Sequence, residues 1–332
     1  PPDPGEKFAT VGGNVATNAG GMRAVKYGCT RDYVRAMTVV LPTGEIVKLG
    51  ATVSKTSSGY SLLNLMIGSE GTLGIITELT LKVIPAPKSV ISLIIPYENL
   101  EDCIATVPQF FMHHLAPQAL EFMEKEVVMD TEKFLGKQVY PKELEGTEIG
   151  AYLLATFDGN SEEQLEDIIE QASEVVLEAG AIDVLVADTP ALKKDAWAVR
   201  GALLEAIEAD TVLLDECVPT NKIAEFLTYT KSLEAEADFR VKSFGHAGDG
   251  NLHIYTCSND MEEGEFKKQV AVFMDKVYAK ATEFGGMISG EHGIGHGKMD
   301  YLAESLGPVQ MRIMEGVKEV FDPNMILNPG KI

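Results

Sequence analysis

The sequence predicts an α+β protein built in two lobes, the second holding an antiparallel sheet covered by helices. Three observations predict it. The chain has 332 residues, more than a single hydrophobic core ordinarily supports. Its texture changes at Pro85-Ala-Pro87, where two prolines interrupt any regular element and mark a boundary. Beyond that point strand-sized apolar runs alternate with segments of helical periodicity.

The elements follow in order. Residues 5–86 are Gly-rich, with short β-type runs. Ala36 to Leu41 and Glu45 to Leu49 flank the turn signal Pro42-Thr43-Gly44 and read as a hairpin. Ile75 to Val83 alternates β-branched and polar residues (Ile76, Glu78, Thr80, Lys82), the pattern of a half-buried strand. After the boundary, residues 89–96, 149–157, 181–187, 211–218, 239–245 and 252–257 read as strands. Ser161-Glu-Glu-Gln164 is a capping box, and the apolar stripe Leu165, Ile168, Ile169, Ala172, Val176 continues it as an amphipathic helix. Residues 264–284 form a second such helix, and the tail 321–332 is turn-rich. No sequence repeat or low-complexity tract occurs.

Charge narrows the functions. With 28 Lys+Arg against 50 Asp+Glu, the formal charge is 28 − 50 = −22. Nucleic-acid binding requires clustered Lys/Arg to neutralise phosphates, and docking on anionic lipid requires the same sign; both are excluded. No apolar run approaches the ~20 residues of a membrane span, and no signal peptide is visible. Cys29, Cys103, Cys217 and Cys257 form no Cys-x-x-Cys pair and read as thiols in a reducing, cytoplasmic setting. The start Pro1-Pro-Asp-Pro-Gly5 lacks a Met and reads as a break inside a domain.

Four of the six histidines lie between residues 246 and 296. In Phe244-Gly-His246-Ala-Gly-Asp-Gly-Asn-Leu-His253-Ile-Tyr255, Asp249-Gly250 is a preferred type I′ turn. That turn sets His246 opposite His253, with Cβ atoms ~5 Å apart on one sheet face, a spacing that suits a shared divalent cation. Glu291-His292 lies in the Gly-rich Ser289-Gly-Glu-His-Gly-Ile-Gly-His296. Two His and a carboxylate with open positions make a catalytic rather than a structural metal set. His296 is ambiguous, and His113-His114 reads as a helix end.

Thr10-Val-Gly-Gly-Asn-Val-Ala-Thr-Asn-Ala-Gly-Gly21 offers many backbone N–H groups and no bulky side chain. It suits close packing on a planar or phosphorylated ligand, though a buried turn has the same composition. Gly68-Ser-Glu-Gly-Thr-Leu-Gly-Ile-Ile76 has the same character and leads into a strand. No Gly-x-Gly-x-x-Gly or Walker A pattern is present, which argues against a Rossmann dinucleotide site or a P-loop kinase.

Together these stretches, with Gly59-Tyr60, Trp197-Ala-Val-Arg200 and Leu327-Asn-Pro-Gly-Lys331, resemble the FAD-linked oxidase family of the vanillyl-alcohol-oxidase (PCMH-type) fold. In particular they resemble its D-2-hydroxy-acid dehydrogenase branch, which includes glycolate oxidase large subunits, D-lactate dehydrogenases and D-2-hydroxyglutarate dehydrogenases. The resemblance covers essentially the whole chain. It implies that residues 1–86 are the second, C-terminal half of an FAD-binding domain. Residues 87–320 would be a substrate (cap) domain with the metal site, and 321–332 a tail returning to the FAD domain. A preceding segment would carry the loop for the FAD pyrophosphate.

The resemblance also implies roles. Gly12, Gly13, Thr17, Asn18, Gly20 and Gly21 match the loop that wraps the flavin. Gly68, Glu70, Gly71 and Ile76 match a second flavin-contacting loop, and Asn328 matches the returning tail. His246, His253 and Glu291 match the ligands of a divalent zinc, iron or manganese ion. His292 matches the proposed general base, Arg200 the arginine that holds the substrate carboxylate, and Asn251 lies beside the metal.

The chemistry is self-consistent. A 2-hydroxy acid chelates through its carboxylate and hydroxyl, a cation acidifies the hydroxyl, and a neutral imidazole takes the proton. The Cα hydrogen leaves as hydride to flavin N5. Electrons then pass to a separate acceptor: an electron-transfer flavoprotein, an iron–sulfur subunit or a quinone. Some relatives carry a lysine before the Val218-Pro219 region for a second substrate carboxylate. Leu213-Leu-Asp-Glu-Cys-Val218 has none, which favours a monocarboxylate such as D-lactate or glycolate. Two competing readings are a metal-dependent hydrolase using the His/His/Glu set and a non-catalytic assembly subunit.

Overall fold

The computed structural model describes residues 8–207, 211–258 and 260–331. The chain divides into two compact units. Unit 1 takes Pro1–Gly21, Gly28–Pro85 and Ile288–Ile332, and unit 2 takes Met22–Tyr27 and Ala86–Met287. The return to unit 1 thus begins at Ile288, not at residue 321. The reason lies in the segment Met299–Phe321, helical on either side of a break at Gly307 (φ 75°) and Pro308, whose Val317 and Phe321 pack on the unit 1 core. Its buried Lys318 donates to the carbonyls of Thr72 and Leu327, each at 2.7 Å. The segment Met22–Tyr27 goes to unit 2 because Lys26 and Tyr27 both bind Asp158.

Unit 1 contains β1 (Val34–Val40), β2 (Ile46–Gly50) and β3 (Ile75–Leu81), antiparallel in the order β2-β1-β3. The hairpin read around Pro42-Thr43-Gly44 is β1–β2. The sheet packs Met37, Val39 and Leu49 with Val15, Met66 and Leu73 into one core. The stretch after Thr10 is a short helix, Val11–Thr17, rather than a loop. Thr10 Oγ1 accepts from Gly13 N at 3.1 Å and starts the helix, a local cap that composition does not reveal. Asn18 ends it in the left-handed region at φ 54°.

Unit 2 is built on a seven-stranded sheet. Its strands are β4 (Ser89–Tyr97), β5 (Ala119–Glu124), β8 (Ala151–Gly159), β9 (Leu185–Ala187), β10 (Thr211–Cys217), β11 (Arg240–His246) and β12 (Asn251–Cys257), in the order β10-β12-β11-β5-β8-β4-β9. A small hairpin, β6 (Glu143–Leu144) and β7 (Thr147–Glu148), stands apart. Every pair in the large sheet is antiparallel. Neither β5 nor the β6–β7 hairpin is among the strands read from the sequence.

Alternation along the strands divides the large sheet into two apolar faces. Ile94, Leu154, Met123, Phe244 and Tyr255 pack with Val127 and Val128 of the helix Lys125–Leu135, and with Ala196 and Val199 of the helix Pro190–Gly201. The alternate residues Leu93, Ala155, Phe122, Leu252 and Ile254 are equally buried. The cap at Ser161 forms: its Oγ accepts from Gln164 N at 3.2 Å and opens the helix Glu162–Glu178, while the Gln164 side chain reaches one residue further back, its Oε1 accepting from Asn160 N at 3.0 Å. The second expected helix is Glu263–Glu283. No described helix is long and apolar enough to cross a membrane.

Candidate functional site

The site in unit 2 grows from the β11–β12 hairpin. The chain reverses over residues 247–250 rather than at Asp249-Gly250 alone. The N–H groups of Asp249 and Gly250 both donate to the His246 carbonyl, at 3.3 and 3.1 Å. Asp249 Oδ1 accepts from Asn251 N at 3.2 Å, and Gly250 adopts φ +85°. His246 therefore pairs with Asn251, and Phe244 with His253. The expected direct opposition of His246 and His253 is incorrect, because the His246 carbonyl winds a four-residue loop in place of a two-residue turn. The error is two residues of register, which leaves every side chain on its own face. The histidines are diagonal neighbours with ring centroids 5.3 Å apart at 84°. A nitrogen of each lies within 4.8 Å of the other, and both rings are buried.

An aromatic row seats them. Tyr255 stacks on Phe244 at 5.3 Å, Phe244 lies 5.4 Å from His253, and His253 leads to His246. The apolar end of this row belongs to the main core of the unit, so the imidazoles are held by packing as well as by the strands.

Two acids flank the pair, and sequence reasoning identified neither. On β10, fully buried Asp215 stands opposite His253. Asn251 Nδ2 donates to Asp215 Oδ1 at 2.7 Å and to the Glu216 carbonyl at 3.0 Å. Asn251 Oδ1 is buried and has no hydrogen-bond partner among the described residues. On β5, fully buried Glu121 stands opposite His246. Both its oxygens lie 2.8 Å from His246 Nδ1.

Arg200 approaches Glu121 from the helix Pro190–Gly201. Its Nε donates to Glu121 Oε2 at 2.7 Å and its Nη2 pairs with the same oxygen at 2.5 Å. The guanidinium lies 4.9 Å over the Phe244 ring. Burial pushes the Glu121 carboxyl up, but the charges of His246 and Arg200 overcome this and hold it below the usual glutamate value. For Asp215 the signal in the sequence was a charged residue inside an apolar strand-sized run, Leu-Leu-Asp at 213–215.

This donor set fits a divalent cation. Two imidazoles converge, and one has its second nitrogen engaged by a carboxylate, the arrangement common behind metal-bound histidines. The orphaned Asn251 oxygen is a further acceptor on the same face.

In unit 1 the Gly-rich segments come together. Gly68 N donates to the Val15 carbonyl at 2.9 Å and Glu70 N to that of Ala16 at 2.8 Å. This seats the 68–71 turn, with Gly68 at φ +81° and Gly71 at φ +74°, beside the helix that carries Gly12, Gly13 and Thr17. Asn18 Oδ1 accepts from Arg31 N at 3.0 Å. Gly12 and Gly71 have no atom within 4 Å of where a Cβ would stand, so this surface admits a flat ligand close to the backbone.

Glu70 serves the chain itself. Its Oε1 accepts from Ile294 N at 2.7 Å, its Oε2 pairs with Lys331, and its carbonyl accepts from Asn328 Nδ2 at 2.6 Å. The tail is thereby fastened to the turn. Ile76 packs against the unit 1 core. Gly20 and Gly21 follow Asn18, and a Cβ at Gly20 would stand 3.7 Å from Glu291 Cβ. Glu291 Oε1 and His292 Nε2 are 3.6 Å apart, with the carboxylate mostly buried and the imidazole half exposed. His113 caps the end of the helix Val107–Met112 on the surface, as read.

The comparisons with known proteins concern both units. Residues 86–332 match the family described as FAD linked oxidases, C-terminal domain, and residues 1–50 match the FAD binding domain. The chain is 99% identical over its whole length to a D-lactate dehydrogenase of Anaerostipes hadrus, of which it spans 70%. It is 41% identical to a D-lactate dehydrogenase of Archaeoglobus fulgidus, covering 100% of this chain and 71% of that protein. Its fold superposes on p-cresol methylhydroxylase with a TM-score of 0.74, at 15% identity, over 97% of this chain and 69% of that one. The α+β architecture is therefore PCMH-type. With a C-terminal domain match running from the unit 2 boundary to the end of the chain, the protein belongs to the FAD linked oxidases.

Proposed function

We propose that this chain oxidises a D-2-hydroxy acid, D-lactate or glycolate, to the 2-oxo acid. The observation that carries the proposal is the buried His246/His253 pair backed by Glu121. An α-hydroxy carboxylate offers two adjacent oxygens, the ligand that such a cation site accepts. Membership of the FAD linked oxidases and the naming of two relatives as D-lactate dehydrogenases support the same reading.

The residues divide the work. FAD, when bound, supplies the two-electron acceptor, and Gly12, Gly13, Thr17, Asn18, Gly20, Gly21, Gly68, Gly71, Ile76 and Asn328 would hold it, with Glu70 fixing their loop. A divalent cation, when bound, supplies Lewis acidity, and His246 and His253, with Glu291 from the Gly-rich motif, would hold it. His292 takes the hydroxyl proton on a ring nitrogen. Arg200 holds the substrate carboxylate through N–H groups other than those given to Glu121. Asn251 turns its buried Oδ1 toward the ligand.

Leu213 is the site-side residue two positions before Asp215 and packs on the apolar cluster. No lysine in 213–218 meets a second carboxylate, which supports a monocarboxylate. Electrons leave to a separate acceptor of the kinds named above, in the cytoplasm. A hydrolase or an assembly subunit would have no use for the FAD-family architecture.

The test is anaerobic addition of D-lactate or glycolate to flavin-loaded enzyme. The flavin band at about 450 nm should bleach. A bound flavin that no 2-hydroxy acid reduces refutes the proposal.

A further inference from the structure

We propose that Glu121 is a positioning residue that sets the proton of His246 on Nδ1 and fixes the guanidinium plane of Arg200, so that one buried carboxylate orients a metal ligand and a substrate-binding cation together. The inference rests on the proposed function for the meaning of those two partners. The orientation itself rests on geometry alone.

Glu121 lies on β5, in the middle of the sheet, with no exposure. A carboxylate has no place among Leu120, Phe122 and Met123 unless its lone pairs are met. They are met by His246 Nδ1, 2.8 Å from both oxygens, and by Arg200 Nε and Nη2 at 2.7 and 2.5 Å. An ionised carboxylate only accepts, so the ring beside it must donate from Nδ1 whether or not it carries a second proton. Nε2 is then the nitrogen that would serve a cation.

The same oxygen holds Arg200 in a two-point contact, and the guanidinium carbon stands over the Phe244 ring, 4.9 Å from its centre. Phe244 in turn packs on His253 at 5.4 Å. Removing the charge at Glu121 therefore disturbs both imidazoles and the arginine, although Glu121 need touch neither substrate nor metal. Glu121→Gln keeps the shape but sets an amide against Arg200. With the amide nitrogen at the Oε2 position the guanidinium faces a donor in place of its acceptor; with it at the Oε1 position the Nδ1–H keeps only Oε2, which it must share with Arg200, and meets an amide N–H on its other side.

The experiment uses the full chain stripped of metal, with histidine nitrogens labelled, and cobalt(II) as the probe. Long-range proton–nitrogen spectra should show His246 carrying its proton on Nδ1. The cobalt(II) dissociation constant should rise on the order of 10–100-fold in Glu121→Gln, the range of lost carboxylate partners behind ligands, with partial recovery in Glu121→Asp. A wild-type His246 protonated on Nε2 overturns the proposal, as does a folded Glu121→Gln chain with unchanged cobalt(II) affinity. If Glu121→Gln does not fold, the wild-type spectrum decides the matter alone. A wild type with the Nδ1 proton that takes up no cobalt(II) supports the orientation and overturns the metal reading of the proposed function, so the two failures are distinct.

Discussion

Gly250→Ala tests whether the four-residue loop holds the histidine hairpin in place. Gly250 sits at φ +85°, and a Cβ there would overlap the Val218 carbonyl oxygen and stand 3.2 Å from its carbon. The Val218 N–H donates to the Gly250 carbonyl at 3.0 Å, so the loop cannot withdraw without releasing that bond. The left-handed backbone costs alanine about 1–2 kcal/mol. Losing the buried bond adds about 1–3 kcal/mol. The expected destabilisation is thus about 2–5 kcal/mol.

Gly136→Ala is the control, at φ +64° at the end of the helix Lys125–Leu135 with nothing within 4 Å of its Cβ. It should lose only the backbone share, about 1–2 kcal/mol. Trp197, the only tryptophan, lies in unit 2, where its Nε1 donates to Ser92 Oγ at 3.1 Å. Urea unfolding followed by its fluorescence therefore reports the unit that carries both glycines. The displaced hairpin should also bind cobalt(II) more weakly in Gly250→Ala than in Gly136→Ala. Equal losses of stability in the two variants would refute the argument from the Val218 overlap.

Four further outcomes are expected. His253→Ala should weaken cobalt(II) binding by at least about 100-fold, more than the loss of a supporting partner, read by absorption titration; unchanged affinity removes His253 from the ligand set. His292→Asn should retain flavin and slow its reduction by D-lactate by about 10²–10⁴-fold in stopped-flow traces, and a full rate removes it as the base. Ser161→Ala should cost about 1 kcal/mol of unit 2 stability in urea by loss of the helix cap. Cys103 is fully buried, and burial pushes its thiol well above the ordinary value, with Asp102 adding to the shift. Mass-mapped alkylation at neutral pH should mark Cys29, Cys217 and Cys257 before Cys103, and early labelling of Cys103 contradicts its placement.

How far each part was legible follows from how local its causes are. The β1–β2 hairpin, the cap at Ser161 and the helix Glu263–Glu283 are written in neighbouring residues, and the structure follows them closely. Strand β5 is written elsewhere. Ala119, Leu120, Glu121, Met123 and Glu124 favour helices, and only their pairing with β8 and β11 makes the segment extended. Glu121 was hidden with its strand: a glutamate among helix formers signals little until the sheet sets it opposite His246.

The histidine hairpin shows why a wrong register can still bring the right groups together. Asp249-Gly250 looked like a complete turn, but the His246 carbonyl accepts from both Asp249 and Gly250 and lengthens the loop by two residues. A shift of one would have sent His253 to the opposite face, among Leu252 and Ile254. A shift of two exchanged its partner, from His246 to Phe244, and kept its face. What chemistry needs from the hairpin is face and proximity, and the diagonal pair satisfies both at 5.3 Å. The exchange also has a consequence for the site. Phe244, now opposite His253, lies 5.4 Å from that ring and 4.9 Å beneath the Arg200 guanidinium, so the arginine and the second histidine bear on one aromatic residue. Direct opposition of the histidines would have set Phe244 opposite Tyr255 and made His253 only its diagonal neighbour. The register that the sequence concealed is the one that links all four side chains.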